Sequence, residues 1–130
     1  MKLLTNPLAL LSLLAAASSS VVEACYGSGI DWTSLTGGDV DGAIRHFCSN
    51  YATKTYSPRE TVYHCYPFPE NNSGDRLEIS VHNNDSGGAR GVIENECLWN
   101  LRHIKDSCTK GGDGPFGYFQ YNFDPNSGRC

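Results

Sequence analysis

The sequence predicts an α+β domain in which two helices pack on a mainly antiparallel sheet, held by three disulfides. Three observations carry that expectation. Six cysteines follow an apolar leader, two stretches repeat apolar residues at helical spacing, and residues 76–82 alternate apolar with polar side chains. At 130 residues the chain has room for one such domain. An apolar share of 39% with 18% charged residues fits neither a disordered chain nor one embedded in a membrane. The formal net charge of −4 argues against a protein that coats nucleic acid, because neutralising phosphates takes a basic surface.

The first element is a leader. Lys2 gives a positive start, and Leu8 to Ala17 form an apolar run broken only by Ser12. That run is short of the roughly 20 apolar residues a membrane span needs, and it suits a secretory signal. Val22 and Ala24 then occupy the small-residue positions of a cleavage before Cys25, with Ala15 and Ala17 offering an earlier site. Residues 1–24 are therefore expected to be a signal peptide and residues 25–130 a single secreted domain. No later stretch is apolar enough for an anchor. Cys25, Cys48, Cys65, Cys97, Cys108 and Cys130 all follow the leader, and an even count in a short secreted chain reads as three disulfides of open pairing. Zinc would want close CxxC-type pairs, which are absent, and nothing calls for a metal or other cofactor.

In the mature chain, Thr36-Gly-Gly-Asp39 resembles a capping box, and Val40, Ile44, Phe47 and Tyr51 recur at helical spacing, predicting a first helix over about 39–52. Thr61 to Pro67 is rich in β-branched and aromatic residues and reads as a strand. A turn-rich loop over Glu70 to Asp75 follows. Leu77, Ile79 and Val81 then point one way and Arg76, Glu78, Ser80 and His82 the other, as in a half-buried strand. Asn83 to Gly88 is turn chemistry, with Ser86 placed to cap a second helix over about 89–108. Ile93, Cys97, Leu101, Ile104 and Cys108 would form its buried stripe. Cys97 and Cys108 cannot pair with each other there, since the helix would separate them by roughly 16 Å against about 6 Å in a disulfide. Phe119, Tyr121 and Phe123 mark a last strand, and residues 124–128 a closing turn. Asn71 and Asn84 head sequons for surface glycans.

Two sets of residues carry chemistry. Arg76, Glu78 and His82 share a strand face, with His64 on the preceding strand; a carboxylate base, an imidazole acid and a cation for phosphate are the parts of a small secreted ribonuclease. A solvated polar sheet face accounts for the same pattern. On the second helix, Trp99 lies about 160° from the centre of the apolar stripe, among Asn95, Arg102, His103 and Asp106. An exposed indole ringed by amide, imidazole and guanidinium donors suits a sugar, which offers a C–H face to the ring and hydroxyls to the donors. Burial of Trp99 against another element is the competing expectation. Trp32 and Tyr118 are further aromatic candidates for sugar contact.

Taken together, the Cys25-Tyr-Gly-Ser-Gly29 start, the Trp32 stretch, the Cys97 to Cys108 helix with Gly111-Gly112, and the ending Gly117-Tyr-Phe-Gln-Tyr-Asn-Phe-Asp-Pro-Asn-Ser-Gly-Arg-Cys130 resemble a family. It is the family of small cysteine-rich fungal glycan-binding proteins, a mushroom lectin family. That resemblance implies an αβα sandwich that dimerises by joining sheets and a non-catalytic lectin for N-acetylhexosamine-containing glycans. Its partners would be glycans or glycoproteins of other cells, in a defensive role, with no nucleic acid bound and no membrane inserted. The resemblance supplies no binding motif, so Trp99, Asn95, Arg102, His103, Trp32 and Tyr118 rest on helix and strand geometry. The Cys-helix-Cys segment and the Asp-Pro-Asn-x-Gly-x-Cys ending also resemble fungal killer-toxin-like effectors, which implies a secreted toxin as the alternative.

Overall fold

A computed structural model of the chain describes residues 24–130; all of the expected leader except Ala24 lies outside the described residues. The sheet grows from the alternation read in the sequence. In β4 (Asp75–Asn83), Leu77, Ile79 and Val81 are fully buried and their neighbours half-buried. β3 (Thr61–Phe68) pairs on one side of β4 and β7 (Phe119–Asn126) on the other, both antiparallel. β6 (Gly112–Phe116) and β1 (Ala24–Cys25) complete a five-stranded sheet of order β1-β6-β7-β4-β3. β2 (Thr55–Tyr56) and β5 (Arg90–Gly91) form a separate small ribbon.

The turn expected over 124–128 is shorter. Asp124, Pro125 and Asn126 continue β7, opposite Glu78, Leu77 and Arg76. Proline is tolerated there because β6 reaches only to Phe123, leaving that end of β7 paired on one side.

The first helix, α1, spans Val40–Phe47 and continues as a π-helical turn over Cys48–Ala52, close to the expected limits. Its capping box does not form. The helix starts after Asp39, whose carboxylate turns to Arg45 at 3.3 Å. The second helix, α2, spans Glu94–Ser107 rather than starting near residue 89. Arg90 and Gly91 are drawn into the ribbon with β2, so Ser86 caps nothing and Ile93 is extended and exposed. Cys97, Leu101 and Ile104 keep the buried stripe, and Ile93 leaves it.

Both helices share one face of the sheet. Ile44 and Phe47 of α1 and Leu101 and Ile104 of α2 join Leu77, Ile79, Val81, Tyr121 and Phe123 in a single core. The α+β class, mainly antiparallel sheet, two helices and three disulfides are as expected. The disulfides pair Cys25 with Cys108, Cys48 with Cys97 and Cys65 with Cys130. The middle one is fully buried and ties α2 to the end of α1.

Candidate functional site

With Cys97, Leu101 and Ile104 turned into the core, the opposite side of α2 is left to solvent, and Trp99 stands there 54% exposed. His103, one turn on, stacks against the indole with ring centroids 4.9 Å apart and planes 12° from parallel. Asn95 lies one turn before. Together with Leu98, Arg102 and Asp106 these residues line an open depression of about 390 Å³. Five side chains picked from helical spacing, Asn95, Trp99, Arg102, His103 and Asp106, are thus brought together, and the expectation that burial would claim Trp99 fails.

Arg102 is fixed from outside α2. Its Nε and Nη2 donate to the two carboxylate oxygens of Asp41 on α1, at 2.9 and 3.2 Å. This bidentate bond holds the Asp41 carboxyl below its ordinary range and raises the guanidinium's. Guanidinium N–H groups not used by Asp41 remain at the rim of the depression. Leu98 could have been read from its place beside Trp99, but Asp41 could not, since only helix packing brings it to Arg102.

Trp32 and Tyr118 do not join this site. Trp32 donates its indole N–H to the Lys105 carbonyl at 2.9 Å, and the Lys105 ammonium sits 5.1 Å from its ring centre. The ring latches the last turn of α2. Tyr118 stands at the β6–β7 turn with the Arg90 guanidinium 3.7 Å from its ring centre.

Of the ribonuclease grouping, Arg76, Glu78 and His82 share one strand face as expected, and His64 is separated from them. His64 pairs with Ile79 across the ladder, so it faces the helices, while Glu78 and His82 face the other side. There it stacks on Tyr51 at 4.5 Å, and burial, then the neighbouring His46, lower its pKa. Glu78 is engaged by Tyr63, Arg76 and Asn126 at 2.7, 3.1 and 2.8 Å; burial would raise its carboxyl, but these bonds outweigh it and hold it low. His82 is bonded to Thr61 at 2.6 Å. That face is a hydrogen-bonded polar sheet surface.

Among the described residues, no group of three or more His, Cys, Asp or Glu side chains is placed to hold a metal ion, and no helix is long and apolar enough to cross a membrane. No curated protein and no solved structure matches the chain. A family profile does: that of the family described as Glycan binding domain Y3 matches residues 39–130, well over half of the sequence, and the chain belongs to this glycan-binding family.

Proposed function

We propose that the protein is a secreted, non-catalytic lectin that takes glycans through the Trp99 depression. The observation that carries this reading is the exposed indole, backed by His103 and rimmed by Asn95, Arg102 and Asp106, within a glycan-binding domain. A pyranose laid on Trp99 gives its C–H face to the ring. Its hydroxyls then meet an amide, a guanidinium anchored by Asp41 and a carboxylate acceptor. The sugars proposed are N-acetylhexosamine-containing glycans or glycoproteins on the surfaces of other cells, recognised in a defensive role by a homodimer.

A glycan array on the purified protein, followed by titration calorimetry of Trp99→Ala, tests this. Saturable binding without turnover is expected, and the variant should lose about 2 kcal/mol of binding, roughly thirtyfold in affinity. Its melting temperature should hold, because the residue is already 54% exposed. Full affinity in the folded variant would remove Trp99 from the site.

A further inference from the structure

The Trp99 depression does not end at Arg102. Asp41, which grips Arg102, is shared with Arg45, and Arg45 reaches Asp39 at 3.3 Å. Asp39 is in turn part of the wall of a second depression, about 330 Å³, between α1 and β3. A ladder of alternating charge therefore runs over the solvent side of α1 from one hollow to the next.

The second hollow combines the two surfaces a sugar ring needs. Ala43, Pro67 and Phe68 supply apolar contact beside the Tyr66 ring. The Asp39 and Glu70 carboxylates, the Tyr66 hydroxyl and the His46 imidazole supply hydrogen-bonding groups, the last two 2.9 Å apart. Tyr66 is further fixed by the His64 ring, edge-on with centroids 4.5 Å apart. The shape depends on Gly42: a Cβ there would come within 2.6 Å of the Asp39 carboxylate and displace it. The family match begins at residue 39 and takes in the ladder and nearly all of this hollow. By contrast, a third and more polar hollow is built largely from residues 25–29, outside the match.

We propose that the hollow between α1 and β3 is a second sugar subsite, and that the ligand is an oligosaccharide bridging it and the Trp99 platform along the Asp39–Arg45–Asp41–Arg102 ladder. This rests on the glycan reading of Trp99 and adds a second point of contact. Two linked contacts on one ligand reinforce each other by effective concentration, so affinity should grow with glycan length until both hollows are filled.

The test is calorimetry with the best array glycan and its shortened forms, from the monosaccharide upward, on the wild type, Trp99→Ala and Tyr66→Phe/Glu70→Ala. In the wild type, affinity should climb by about tenfold or more with length. The Tyr66/Glu70 variant should lose that climb, bringing long glycans down to the affinity of the monosaccharide, while Trp99→Ala weakens every length. Glu70→Ala alone, at an exposed position, should shift the long glycans in the same direction and guards against a folding artefact. A wild type indifferent to glycan length, or a full length dependence kept in both folded Glu70 variants, would overturn the bridging subsite and leave the Trp99 reading standing. Loss of binding in the Tyr66/Glu70 variant with none in Trp99→Ala would overturn the Trp99 reading and the bridge with it.

Discussion

Two tryptophans divide the work between recognition and stability at the scale of single residues. Trp32 is partly buried and bonded through its ring N–H, so Trp32→Phe removes one hydrogen bond from the last turn of α2. It should cost about 1 kcal/mol of stability and leave glycan affinity unchanged, a split that thermal melts and calorimetry resolve. His64 sets a pH response. With its imidazole lowered by burial and by His46, beside the Tyr51 and Tyr66 rings, the unfolded chain takes up the proton at higher pH than the folded one. Stability is then complete above about pH 6.5 and falls as pH drops towards the lowered value. Glu78, also held low, adds a loss of the same sign in the carboxylate range. Melting temperature should therefore decline in two stages on acidification, and His64→Phe should remove the upper one; an unchanged upper stage in that variant would contradict this.

At the scale of elements, the disulfides differ in exposure. Cys48 and Cys97 are both fully buried, whereas Cys25 and Cys130 lie at the surface. Graded reduction with alkylation and mass analysis should open Cys25–Cys108 and Cys65–Cys130 first and Cys48–Cys97 last, because exchange needs access for the attacking thiolate. Removing Cys48–Cys97 by paired alanines should cost about 2–5 kcal/mol. The junction between α2 and β6 is equally exacting. Gly111 has φ +81°, and a Cβ there would lie 2.2 Å from the Phe123 carbonyl oxygen. Gly111→Ala should thus cost well over 1 kcal/mol, read as a lowered melting temperature, with the strain in the backbone rather than in any lost contact.

For the whole molecule, the sheet leaves β3 as a long edge strand, with β1 at the far edge covering two of the described residues. A long unpaired edge is a template for a second copy, and doubling the sugar sites would add avidity. The proposed homodimer is expected to join through β3, and sedimentation at micromolar concentration should give twice the chain mass; a monomer would exclude it. Much of this architecture was legible beforehand. Alternation in residues 76–82 and 119–123 located two central strands, and the spacing of Val40, Ile44 and Phe47 located α1. The start of α2 was not legible, because Arg90 and Gly91 obey a pairing with Thr55 and Tyr56 that lies far away in sequence. Nor was the reach of β7, since its continuation depends on a partner strand in register.

The sequence by itself determined which side chains share a face, because a helix or strand repeats at a period set by the backbone. That was enough to gather Asn95, Trp99, Arg102 and His103 on one side of α2 and to keep Cys97 from pairing with Cys108. Tertiary structure decided what meets each face. It left Trp99 in water while Trp32 found a carbonyl, set His64 across the sheet from Glu78, and brought Asp41 to Arg102. Those outcomes depend on contacts between residues distant in the chain, and local periodicity carries no information about which distant element arrives.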